Sequence, residues 1–169
     1  MFLDESGANT QLQRLYGRAP RGERAYGIVP HGHYVAVTMV AAIRRDGPVA
    51  PRSFVGAMNS ERFRDWVSTA LCPCLREGDV VVMDNLPAHK DKKAVESIEA
   101  AKARVLYLPP YSPDLNPDEK LWSKTKSLLR RLAERSVARL LEVIEQAVAQ
   151  VTPKDCVGFF KSCGYAQLF

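Results

Sequence analysis

Val80-Val81-Val82-Met83-Asp84-Asn85 is the stretch on which the fold turns. Four apolar residues in a row, without alternation, read as a short strand buried on both faces. A charge at the end of such a strand is costly unless a partner or a cation meets it. Two further acids stand in related settings. Asp4 lies in Phe2-Leu3-Asp4-Glu5-Ser6, and Glu119 follows Tyr111-Ser112-Pro113-Asp114-Leu115-Asn116-Pro117-Asp118. Between Asp84 and Glu119 lie 34 residues. Carboxylates from three separate segments are hard oxygen donors of the kind that hold Mg²⁺ or Mn²⁺. Two such ions can activate one oxygen of a phosphoryl group and stabilise the leaving one.

Outward from this stretch the chain alternates strands and helices. His33 to Arg44 is β-branched and apolar, and Val49 to Met58 reads as its hairpin partner across an Asp46-Gly47 turn. Ser60 opens a helix with Phe63, Trp66, Val67, Ala70, Leu71 and Leu75 on one face. Both Trp66 and Trp122 are expected in the core. Asp91 to Ala103 reads as helix and Arg104 to Leu108 as strand, after which the prolines from Pro109 to Pro113 rule out helix. A helix then starts at Asn116, an N-cap with Pro117 at the first position. At about 100° per residue, Leu121, Trp122, Thr125, Leu128, Leu129 and Leu132 share one apolar arc. Glu119, Ser123, Lys126 and Arg130 form a stripe along its edge, and Lys120, Lys124, Arg131 and Arg135 lie on the far side. Ser136 to Val151 and a segment between Thr152-Pro153 and Gly164 complete the helices. Residues 14–32, rich in Arg, Gly, Pro and Tyr, read as an extended loop. The order predicts a mixed α/β domain in which Asp4 and Asp84 each end a strand, the first of them very short.

The 169 residues are enough for one domain with a proper core. No stretch is long and apolar enough to span a bilayer, and the acidic start has no signal-peptide character. The expected location is the cytoplasm. The four cysteines lack zinc-ribbon spacing and read as reduced thiols packed as small apolar groups. The net charge of +5 fits a polyanionic partner, with cations concentrated from Lys120 to Arg139 beside Glu119.

Three segments carry a family resemblance. Phe2-Leu3-Asp4-Glu5-Ser6-Gly7, Asp84-Asn85-Leu86-Pro87-Ala88-His89 and Leu108-Pro109-Pro110-Tyr111-Ser112-Pro113-Asp114-Leu115-Asn116-Pro117 resemble DDE transposases, most closely the bacterial insertion-sequence branch of the mariner superfamily. The resemblance covers essentially the whole chain, residues 1–169, as a single catalytic domain. It implies a ribonuclease H-like fold, a mixed five-stranded sheet flanked by helices. It implies that Asp4, Asp84 and Glu119 are the catalytic, metal-binding triad. The implied activity is Mg²⁺-dependent cleavage at transposon ends followed by strand transfer into target DNA. Such enzymes act on double-stranded DNA as dimers or higher assemblies, in the bacterial cytoplasm at the nucleoid. Asp118 departs from the family pattern, where an apolar residue precedes the glutamate; on a helix it points about 100° away from Glu119. The helix-turn-helix region that members carry upstream is not in this sequence, so an upstream product could supply it.

Around the triad, Glu5 and Asn85 are candidates to orient the ligands. His89 is a further candidate, for phosphate or a water, against the plainer reading of a structural histidine. Lys126 and Arg130 are candidate DNA-backbone contacts, while Lys120 and Lys124 stand between DNA contact and a solvated face. Arg14, Arg18, Arg21 and Arg24 in the loop suit DNA, a partner subunit or plain solvent. The alternative to an active transposase is a truncated remnant that binds DNA or intact transposase without chemistry. An acid–base hydrolase of small substrates leaves both the basic helix and the proline-rich block unused.

Overall fold

A computed structural model describes residues 1–165 of the chain. Strand β1 (Phe2–Asn9) is the centre of a five-stranded sheet. On one side it pairs antiparallel with β2 (Ala36–Arg44), which forms a hairpin with the edge strand β3 (Gly47–Val55). On the other side β4 (Val80–Met83) runs parallel to β1, and β5 (Arg104–Tyr107) parallel to β4. The order β3-β2-β1-β4-β5, with three antiparallel strands followed by two parallel ones, is the expected ribonuclease H-like sheet.

Helices cover both faces, which is why β4 is wholly apolar and β2 is apolar from Met39 to Ile43. Seven consecutive residues of β2, Val37 to Ile43, are buried. Phe2, Met39, Ala41, Ile43 and Val82 pack under α3 (Pro117–Leu132), α4 (Val137–Ala149) and α5 (Pro153–Ser162). On the opposite face, Leu3, Val40, Ala42, Val81 and Met83 pack under α1 (Ser60–Trp66) and α2 (Lys92–Ala100). Helix α1 continues as a π turn over Val67–Leu71 and a 3₁₀ turn over Cys72–Cys74, where Pro73 offers no backbone N–H. Asn59, Asp91, Asn116, Ser136 and Thr152 each cap a helix with a side-chain oxygen.

Several details depart from the sequence expectation. Strand β1 is eight residues long, and Asp4 is its third residue rather than its end. Full antiparallel pairing with β2, through to Asn9 opposite Ala36, carries the strand past Ser6-Gly7. The hairpin turns at Arg45-Asp46, because Arg44 pairs with Gly47. Strand β3 tolerates Pro48 and Pro51 because it is an edge and bulges opposite Val40–Ala42, where Ala50 takes φ 52°. Leu132 is 49% exposed at the last position of α3, which ends at a left-handed Ala133. Cys156 and Cys163 are buried as expected, but Cys74 is exposed at the end of its turn.

Leu121 is completely buried between α3 and the sheet. Truncation to alanine should cost about 3 kcal/mol, the usual loss for a closed core site. Urea unfolding of Leu121→Ala against the parent chain measures it.

Candidate active site

The parallel register brings the first two acids together. Phe2 lies opposite Val82, so two residues further Asp4 comes level with Asp84, just past the end of β4. The third arrives with α3. Asn116 caps that helix by accepting from the Asp118 amide (3.1 Å), and its Nδ2 donates to Asp4 Oδ2 at 3.0 Å. One side chain therefore closes the helix end and ties it to the central strand. Asp4, Glu5, Asp84 and Glu119 line a single cleft of about 560 Å³, walled by residues 108–113, with no Lys or Arg in its lining. Among the described residues no three His, Cys, Asp or Glu side chains are close enough to ligate one ion together. The cleft gathers the carboxylates without bringing them into contact.

Asp84 and Asp4 differ sharply in their surroundings. Asp84 Oδ1 accepts from the Leu86 amide (2.9 Å) and from His89 Nδ1 (2.6 Å). Partial burial alone would raise its pKa. The bonds from His89 and the Leu86 amide, with the charges of His89 and Lys90, reverse that and leave it below the ordinary carboxylate range. Asp4, only 7% exposed, is pushed up to about 7 by burial first and then by the charge of Glu5. The amide of Glu5 donates to Asp4 Oδ1 (2.8 Å) and pulls the other way, while the charges of Asp84 and Glu119 add to the rise. Glu119 is exposed, with no hydrogen-bond donor among the described residues.

His89 is wholly buried. Its Nε2 meets Glu5 Oε2 at 2.8 Å while Nδ1 holds Asp84, so the ring bridges two carboxylates from adjacent strands. Burial would lower its pKa, but the bonds to Asp84 and Glu5 outweigh burial and bring it up to about 9. Both ring nitrogens then donate, as an imidazolium. Phe63 packs on the ring at 4.7 Å, and Tyr107 Oη donates to the His89 carbonyl (3.0 Å). This placement corrects the expectation that His89 could reach a phosphate: it lies beneath the cleft, not in it. Glu5 and His89 form one unit with Asp84. Asn85 Nδ2 donates to the Leu108 carbonyl, tying the end of β4 to the end of β5 rather than orienting a carboxylate.

Residues 1–143 match the DDE superfamily endonucleases. The chain belongs to this family. Among curated proteins none matches it. Among solved structures it is similar to a pre-cleavage Mos1 transpososome, at TM-score 0.77 and 14% identity, over 99% of this chain and 53% of that one. It is also similar to the Mos1 mariner paired-end complex with Mn, at TM-score 0.70 and 15% identity, over 98% of this chain and 53% of that one. The catalytic domain of Mos1 mariner transposase matches at TM-score 0.65 and 15% identity, over 98% of this chain and 78% of that one. The likeness is one of fold, and the chain spans about half the length of the first two proteins.

In this DDE superfamily endonuclease the cations of α3 divide between two flanks. Lys126 is half-buried, and burial, then Arg130, lower its pKa; Glu119 and Asp4 pull the other way, so its ammonium sits within their field. Lys124 points elsewhere. It pairs with Asp155 of α5 at 2.5 Å, which removes it from the set of free DNA contacts. Lys120 lies toward the same helix, where Cys163 feels its charge. Asp118 goes into the core as Glu119 goes out, in keeping with the 100° between neighbours. Among the described residues it has no partner for either oxygen, and burial followed by the charge of Asp4 holds it well above the carboxylate range. Trp122 Nε1 and Thr125 Oγ1, one and two turns on, are likewise buried without partners among the described residues. The role of Asn116 at Asp4 had no sequence signal beyond its capping position.

The His89 bridge makes stability depend on pH in a defined sense. Its folded-state pKa is raised, so its contribution is complete below about 6.5 and is lost as pH rises through about 9. The loss should amount to roughly 3 kcal/mol. Urea unfolding without divalent ions at pH 6.5, 7.5 and 9 should show it, and His89→Gln should flatten that part of the profile.

Proposed function

We propose that this chain is the catalytic domain of a transposase that cleaves and rejoins DNA, in the bacterial insertion-sequence branch of the mariner superfamily. The observation that carries the reading is the cleft itself: four carboxylates from two neighbouring strands and a helix start, in a member of the DDE superfamily endonucleases. Asp4, Asp84 and Glu119 are the catalytic set in this proposal. Their donor chemistry fits Mg²⁺ or Mn²⁺, because hard oxygens line one cleft and a buried carboxyl group crowded by negative charge favours a cation. Bound there, two such ions would activate the attacking oxygen and stabilise the leaving one.

The chain's own residues prepare that chemistry. His89 keeps Asp84 anionic and aimed, Asn116 holds Asp4 against the start of α3, and Glu119 is unencumbered and can swing toward the other two. Lys126 and Arg130, in line behind Glu119, would meet the DNA backbone, which positions the duplex without reading its sequence. Recognition of transposon ends then belongs to a helix-turn-helix region outside these residues, and the working unit is a dimer on paired ends. Among the described residues no helix is long and apolar enough to cross a membrane. Support for this assignment comes also from the solved complexes of similar fold, whose names include a paired-end complex with Mn and one with Mg.

A second reading, a remnant that binds DNA without cutting it, draws on the spacing of the acids, no three of which meet at one point. Calorimetric titration with Mn²⁺ separates the two. The catalytic reading expects saturable binding that Asp84→Asn removes, and Mn²⁺-dependent nicking of duplex DNA that falls by about 10²-fold or more in that variant. A folded parent chain that binds no Mn²⁺ would favour the remnant.

A further inference from the structure

A second cleft, of about 610 Å³, lies between the 13–35 loop and the C-terminal end of α3. Its lining brings together Arg14 and Tyr16 from the start of the loop, Tyr26 from its middle, and Arg130, Arg131 and Arg135 from the helix and its exit. No acidic residue lines it. Arg135 holds the two sides together, Nη1 donating to the carbonyls of Thr10 (2.9 Å) and Leu12 (2.8 Å). Arg14, Arg130 and Arg131 form no ion pair among the described residues. Tyr16 and Tyr26 are about nine-tenths exposed, at 90% and 91%. Guanidinium groups gathered without a counter-charge repel one another, and an anionic ligand relieves the repulsion. Flat aromatic faces beside them suit sugars and bases better than a small ion.

We propose that this cleft is a binding subsite for the phosphodiester backbone of DNA, lying beyond the cleavage cleft on the same protein face. The proposal rests on the nuclease reading above and extends it. The connection is geometric. Glu119, Lys126 and Arg130 share one stripe of α3, and the eleven steps from Glu119 to Arg130 span roughly 16 Å of helix axis. That is the reach of about five nucleotides along one strand of a duplex. A backbone leaving the cleavage cleft along this stripe arrives at the arginine cleft. A second copy of the chain is the competing occupant. Charge argues against it, because a self-complementary contact would set these arginines against their own copies in a chain of net charge +5.

The test uses a fluorescein-labelled 30-base-pair duplex of arbitrary sequence and measures its affinity over a range of NaCl concentrations. Arg14→Gln with Arg131→Gln removes two exposed cations that no core contact needs. The slope of log Kd against log salt should become shallower by about 1.8, near 0.9 for each phosphate no longer neutralised. Arg14→Lys with Arg131→Lys should keep most of the slope. An unchanged slope in the glutamine variant, with the parent chain binding normally, overturns the subsite and leaves the nuclease reading standing. An unchanged slope accompanied by a fall in mass by light scattering overturns it in favour of a subunit contact. A parent chain that binds no duplex at all overturns the subsite together with the reading beneath it.

Discussion

The parallel pairing of β1 with β4 is the constraint on which the site depends. Phe2 against Val82 places Asp4 level with Asp84, and a slip of one residue would turn one of the two carboxylates to the opposite face of the sheet. Such a slip is strongly opposed. Phe2 and Val82 pack beneath α3, α4 and α5, while Leu3, Val81 and Met83 pack beneath α1 and α2, so both faces of both strands are committed. The apolar core thereby holds two acids side by side, at a depth where neither would be placed for stability alone.

Charge on the cleft floor is only partly compensated. A buried imidazolium between Glu5 and Asp84 stabilises two of the four acids and leaves Asp4 and Glu119 to the cleft. Asn116 gives Asp4 a neutral partner, which supports its position without neutralising it. The result is a floor that is organised by hydrogen bonds and still negative. That combination makes a cation-binding reading chemically coherent. Asp118 shows the opposite solution for a carboxyl group one residue from Glu119: full burial and a pKa raised well above the carboxylate range, with Trp122 and Thr125, likewise unpartnered among the described residues, continuing the polar stripe into the core. Apolar residues at those positions would fill the same space without that desolvation cost.

The basic residues of α3 serve two separate purposes. Its N-terminal half carries Lys124, which is used internally to dock α5 through Asp155. Its other edge presents Lys126 and Arg130 in line with Glu119, and beyond the left-handed Ala133 the chain turns to offer Arg135 to the base of the loop. Charge that looks continuous in the sequence is divided by the helical wheel into a structural flank and an open one.

Much of this architecture is legible in the residues alone. Apolar run length distinguishes the doubly covered β4 from the helices, and capping chemistry locates the start of α3 at Asn116 within one residue. The resemblance around Asp4, Asp84 and Glu119 supplied the candidate triad, and the mixed five-stranded sheet it implied is the one observed. These features are local: periodicity, caps and turns depend on neighbours a few positions away. The bonds that organise the floor are not. His89 meets Glu5 across 84 positions and Asn116 meets Asp4 across 112, and each depends on side-chain direction to within the reach of a hydrogen bond. Whether a histidine faces the cleft or lies under it, and whether Lys124 or Lys126 faces outward, is decided by packing between layers. The sequence by itself determined which elements form and that Asp84 closes a buried strand; only the tertiary structure decided how far the strand of Asp4 runs and how the acids are charged and held, because pairing, burial and partner geometry exist only once the layers close.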